Sequence, residues 1–267
     1  MSTATTATEQ PTVKVPLFRS AMYEMLMLAF AYPTLDVRER FNTLIEDIEE
    51  FDGTSRSGYL DEVRALRVAM SATQTDALAM AHNHLFEQSS VCSPFETEYE
   101  IDPFAKGRQL ADIAGFYNAF GMTISASRPN MTDFLGTELE FMSLLSRKEA
   151  YAVMRGWKKR REVTLDAERS FLRDHLGRWE RAICGEISAH TEQDSGPAEG
   201  LYGLAARLAT RFIGDDVRRF QARPLRLTQR TLGNQEPLTC PFAVTDEDDP
   251  PIVEDLAAEL GIADHLR

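Results

Sequence analysis

In one stretch after another along this chain, apolar side chains return every three or four positions. The run LFRSAMYEMLMLAFAYP at 17–33 does so until Pro33, which lacks the backbone donor that a helix interior needs. The same period recurs in DVRERFNTLIEDIEEF after Asp36, in 59–70, in 74–88 and in KGRQLADIAGFYNAF at 106–120. No segment sustains a two-residue alternation rich in β-branched side chains, and no fixed-period repeat is visible. A chain so patterned has one way to bury its apolar stripes, helix against helix. The expectation is therefore an all-α protein with one main helical domain.

Local signals place the boundaries. Asp36 is expected to cap the second helix and Gly53 to end it. QSSVCSPFETEYEIDPF, with two prolines and little helical period, reads as a long ordered loop. In 106–120 the residues Leu110, Ile113, Ala114, Tyr117 and Phe120 share a face. Gly115 inside that helix suggests close packing, and Gly121 ends it. Asp133 is expected at the N-cap region of the next helix. A long helix follows over 162–189, bent near Gly177, then another over about 200–213, extended by 215–222. The chain is thus expected to have a flexible polar tail at 1–15 and a helical domain at 16–222. An irregular acidic C-terminal region at 223–267 carries a short helix near 251–260.

Charge and composition narrow the function. The 267 residues carry a formal net charge of −13, which repels nucleic acid and anionic membranes and favours basic partners. Cys92, Cys184 and Cys240 are too few and too far apart for a disulfide scaffold or a CxxC zinc site. No basic start followed by an apolar stretch is present, and no apolar run is long enough to span a bilayer, so a cytoplasmic protein is expected. HNH at 82–84 matches a nuclease label in letters only, because those nucleases build a strand-rich metal site. No glutamate stands three residues before any histidine, which argues against a di-iron bundle, and phosphate-loop, dinucleotide and nucleophile-elbow motifs are missing. No metal, resident cofactor or catalytic residue is expected.

The acids cluster. Residues 36–62 hold nine acids and three bases, 87–102 five acids and no lysine or arginine, and 246–264 eight acids and no base. Residues 207–230, by contrast, hold seven arginines. In 87–102 the carboxylates alternate with Phe95, Tyr99 and Ile101, with Phe104 just beyond. Such a mixture suits a peptide that carries arginines beside an apolar segment. One acid stands out. In DFLGTELEFM, at 133–142, Phe134, Leu135, Leu139, Phe141 and Met142 share one side, joined by Leu145. Glu140 faces water, and Glu138 falls near the middle of the apolar face. An unpaired buried carboxylate costs several kcal/mol, so Glu138 either locks helices together through hydrogen bonds or lines a groove that meets a cation.

Four blocks then follow in a telling order: Leu85-Phe86, SPFETEY at 93–99, LADIAGFYNAFG at 110–121, and Arg128-Pro129 with DFLGTELEFM and KEA at 148–150. Together they resemble the TorD/DmsD/NarJ family of redox enzyme maturation proteins, over about residues 80–150. The resemblance implies an all-helical, non-catalytic chaperone. Such a protein binds the twin-arginine signal peptide, or another part, of an immature catalytic subunit of a DMSO-reductase-type molybdenum enzyme, and delays export until the cofactor is in place. It also implies peptide-binding roles for Leu85, Phe86, Pro94, Glu96, Tyr99, Asp133, Phe134 and Glu138. The family often has Asp-His before its leucine-glutamate helix. Here Phe134 follows Asp133 where histidine is usual, which points to a more apolar wall or a different client peptide. A monomer and a domain-swapped dimer both fit. Two other readings stay open beside the chaperone: a helical metal- or cofactor-dependent enzyme, and a general helical adaptor.

Overall fold

The computed structural model describes residues 12–52, 58–87, 91–100, 105–124, 131–193 and 196–227. Among these, the chain is all-α: α1 Lys14–Phe30, α2 Leu35–Asp52, α3 Leu60–Ala72, α4 Thr75–Phe86, α5 Ala105–Ala119, α6 Leu135–Met154, α7 Lys158–Asp174, α8 Leu176–Gln193 and α9 Pro197–Arg219. A 3-10 turn, Glu96–Tyr99, lies between α4 and α5. The expected cap at Gly53, most of the expected N-terminal tail and the expected helix near 251–260 fall outside the described residues.

The first helix explains the rest. Twelve of its residues are buried, on every side, from Pro16 to Phe30. A helix apolar all round has to sit at the centre of a bundle. α1 packs most extensively on α6 and also on α2 and α9, while α6 continues onto α7 and α8 onto α9. An aromatic cluster fills the space between α5, α6 and α7. The ring of Phe141 lies 4.8 Å from Phe171 and 4.9 Å from Tyr117, both at the inclined angles that suit ring quadrupoles.

One charge crosses this core. Arg19 of α1 is buried and reaches Glu149 of α6 (3.1 Å), Glu168 of α7 (2.9 Å) and Asp216 of α9 (2.8 Å). Tyr23 donates to the same Asp216 at 2.9 Å, Arg161 adds a second cation on Glu149 at 3.0 Å, and the Arg19 guanidinium stacks 4.5 Å from the Phe220 ring. Burial works against the charge of Arg19, but the three surrounding carboxylates outweigh it and raise its pKa.

Several local expectations are corrected. Thr34, not Asp36, caps α2: its Oγ1 accepts the Val37 N–H at 3.2 Å, and Asp36 lies inside the first turn, where the helix dipole favours it. The expected helix over 162–189 is two helices, broken at His175 (φ −130°, ψ −106°). Gly177 serves that break. A Cβ there would lie 2.3 Å from the Leu172 carbonyl oxygen, so only glycine lets α8 start so close to the end of α7. Gly115 has open space around it, so close packing does not explain it. α9 runs unbroken through 214, with Pro197 in its first turn.

Candidate client-binding cleft

The SPFETEY loop is fastened to the start of α6 by backbone. Leu135 N–H donates to the Pro94 carbonyl and Glu96 N–H to the Asp133 carbonyl, each at 2.9 Å, and Phe95 and Phe134 form one antiparallel bridge. α6 has no side-chain cap, and the Pro94 carbonyl takes the place of one for Leu135. Asp133 is therefore not the cap of its own helix. Its Oδ2 accepts from the Thr97 N–H (3.1 Å) and hydroxyl (2.6 Å) and so holds the 3-10 turn. Phe134 packs its ring 5.7 Å from Phe95 and over Gly136, where any Cβ would collide with it at 2.7 Å. The two phenylalanines thus pack together where the loop meets the start of α6.

Beneath the loop runs a chain of polar groups. Glu96 is fully buried. His175 Nδ1 lies 3.2 Å from its Oε2, and Arg178 Nη1 lies 3.6 Å from its Oε1. His175 Nε2 lies 3.2 Å from Asp112 Oδ2, and Arg178 Nη2 donates to Glu100 Oε2 at 2.8 Å. Glu138, also fully buried, accepts from Trp179 Nε1–H at 3.1 Å and shares a hydrogen bond with the Glu96 side chain. Burial, then the negative charge of Glu96, hold the Glu138 carboxyl well above the usual range, and the Trp179 N–H only partly opposes them. The protonated form of Glu138 is thus favoured. It can donate its proton to Glu96 and accept from the indole, and in that state a carboxyl group is tolerable in the core.

The polar chain surfaces in a cleft of about 820 Å³ between α5 and the α7–α8 break. His175 forms part of its lining with Glu100, Asp112, Asp174, Arg108 and Arg178. Asp112 is its accessible acid, with a side chain 63% exposed. Three carboxylates and two guanidiniums make this a polar, ion-pairing surface. Among the described residues no three His, Cys, Asp or Glu side chains gather in a way that could hold a metal ion.

Six of the eight residues singled out from sequence meet at the fastened loop and the polar chain beneath it, and none of the eight lines the cleft itself. Pro94, Glu96, Asp133 and Glu138 are buried, and Tyr99 and Phe134 are half-buried. The Tyr99 hydroxyl donates to Glu186 at 2.7 Å, and its ring lies 5.4 Å from Trp179. Leu85 and Phe86 lie apart, at the buried end of α4, where the Leu85 carbonyl accepts the Cys92 N–H at 3.1 Å and the Phe86 ring meets His82 and Tyr202. Asp112, His175, Arg178 and Trp179 were not foreseen. One signal pointed to Trp179: a buried indole N–H needs an acceptor, and the acid on an apolar face needed a donor.

Residues 56–185 match a family model described as the nitrate reductase delta subunit. Over 205 residues, 74% of this chain and 87% of the relative, the sequence is 25% identical to the perchlorate reductase assembly chaperone protein of Dechloromonas aromatica (strain RCB). No solved structure matches. The helical fold and the sequence blocks are consistent with both matches. Over the central part of the chain this is a similarity to the TorD/NarJ chaperone family. No helix among the described residues is long and apolar enough to cross a membrane.

Proposed function

We propose that this protein is a system-specific cytoplasmic chaperone for the catalytic subunit of one DMSO-reductase-type molybdenum enzyme. It binds the precursor, its twin-arginine signal peptide included, and holds it back from export while the cofactor is inserted. The observation that carries this reading is the accessible carboxylate of Asp112 at the mouth of the cleft, over a buried His175–Glu96–Glu138 chain that fixes its surroundings. A guanidinium entering the cleft meets Asp112 and Asp174 as direct partners. Phe134 and Tyr99, half-buried beside the fastened loop, supply apolar contact for the stretch that follows the arginines. Pro94, Glu96, Asp133 and Glu138 act by building this surface, and Leu85 and Phe86 by anchoring the loop to α4. Binding is reversible and involves no covalent step.

Affinity capture of the tagged full-length protein from its native cytoplasm, with mass spectrometry of what co-purifies, tests the proposal. Recovery of one molybdoenzyme catalytic subunit with its leader uncleaved is the expected result. The Asp112→Ala, Asp174→Ala variant is expected to lose that subunit. Capture of no such subunit, from cells that express molybdoenzymes, contradicts the function.

A further inference from the structure

We propose that the α6–α7 turn is a second docking surface, which takes an acidic segment of a partner protein with an apolar or aromatic anchor at its centre. The inference does not depend on the cleft. α7 separates the two: its 17 residues span roughly 25 Å between Lys158 and the end near His175.

The surface is built by backbone geometry. α6 ends in a pair of closing bonds, Trp157 N–H to Ala152 O at 2.9 Å and Gly156 N–H to Val153 O at 3.1 Å. Gly156 takes φ +66°, open to glycine and strained for other residues. The chain is thereby turned so that Trp157, 38% exposed, faces solvent with Tyr151, Met154 and Val163, which are 45%, 66% and 61% exposed. Large apolar side chains gathered in this way mark an interaction site. Trp157 is also held in place. Arg160 lies over its ring at 4.1 Å, and Tyr151 meets it edge-on at 5.4 Å with Arg155 stacked beyond at 5.2 Å. Two hollows of about 430 and 450 Å³ flank Trp157, and Ala152 lines both.

Charge selects the occupant. Residues 147–161 hold seven bases and one acid, in a chain of net charge −13. That acid, Glu149, is buried and engaged by Arg19 and Arg161, so it does not offset the surface. Arg147 pairs with Glu24. Among the described residues, Lys148, Arg155, Lys158, Lys159 and Arg160 have no carboxylate within ion-pair distance, although Glu162 lies at the rim of one hollow. Free cations around an aromatic and two hollows complement carboxylates around an apolar side chain. A nucleic acid meets the cations equally well. It leaves the hollows unfilled, however, and approaches against the charge of the whole protein.

The test uses the full chain and its own fluorescence. Of its two tryptophans, Trp179 is fully buried and Trp157 is exposed, so a change in emission reports the patch. The probe is a synthetic twelve-residue peptide without tryptophan, six Asp and Glu residues flanking a central Leu-Phe pair. It is expected to shift Trp157 emission to the blue in a saturable titration. Replacing the acids with Asn and Gln, or introducing Lys159→Glu with Arg160→Glu, is expected to weaken binding at least about tenfold. The charge-reversal variant changes only exposed side chains, and circular dichroism verifies its fold. No saturable shift, equal affinity for the neutral peptide, or full affinity in the variant overturns the proposal. So does tighter binding of a single-stranded oligonucleotide of equal charge, or self-association that the variant abolishes, which would give the surface to a nucleic acid or to a second copy.

Discussion

Glu138 and Glu96 are neighbours with opposite needs. Burial favours the neutral form of Glu138, whereas Glu96 faces His175 and Arg178. Glu138→Gln keeps an acceptor for the Trp179 N–H and a donor for Glu96, so it is expected to change stability by less than about 1 kcal/mol in urea denaturation. Glu96→Gln removes the buried carboxylate that faces His175 and Arg178, leaving them only Asp112 and Glu100, and is expected to cost clearly more, about 2 kcal/mol, in the same experiment. Equal costs would contradict this contrast. Two further carboxyls define a pH response. Burial pushes Glu168 up to about 7 and Glu180 up to about 8. An acid with a raised folded pKa binds its proton more tightly in the native state. Its stabilising contribution is complete below the ordinary carboxylate range and is lost as pH rises through the folded value. Stability is therefore expected to fall between about pH 5 and 8, and Glu180→Gln is expected to flatten that slope in melts across the range. Sequence alone exposed Glu138, because an acid on an apolar stripe is visible by period. It did not expose Glu168 or Glu180, whose burial depends on helices distant in the chain.

At the scale of elements, helix interiors were legible and their ends were not. The apolar period located α1 to α6 and α9, since burying a stripe needs only its spacing. The ends depend on single contacts that have no period: the Thr34 hydroxyl, the Pro94 carbonyl in place of a cap, and the Leu172 carbonyl against Gly177. The α7–α8 break was read as a bend for that reason, and it matters because it delivers His175 and Arg178 to the cleft. Gly177→Ala forces a Cβ against backbone that cannot move aside. It is expected to lower the melting temperature markedly, by the equivalent of about 2 kcal/mol or more. Gly115→Ala, with open space around it in mid-helix, is expected to stabilise by roughly 0.5–1 kcal/mol. A reversal of the two would contradict the roles given to these glycines.

At the scale of the whole molecule, Arg19 joins four helices through three carboxylates. Its removal strands buried anions, so Arg19→Ala is expected to cost about 3–5 kcal/mol and to shift the entire unfolding transition, not one phase of it. The all-α class and the resemblance to that family were both readable in the sequence, the first from periodicity and the second from four ordered blocks. The cleft was not, because Asp112 and His175 are 63 residues apart: Asp112 sits in the LADIAGFYNAFG block with nothing to mark its partner, and His175 belongs to no motif. The most direct test of the central claim is a titration of the full chain with the twin-arginine leader of the subunit it captures, at low and high salt. The account expects binding that weakens with salt, falls at least about tenfold when the two arginines become glutamines, and falls comparably in the Asp112→Ala, Asp174→Ala variant. Affinity indifferent to salt, to the arginines and to those two aspartates would contradict it.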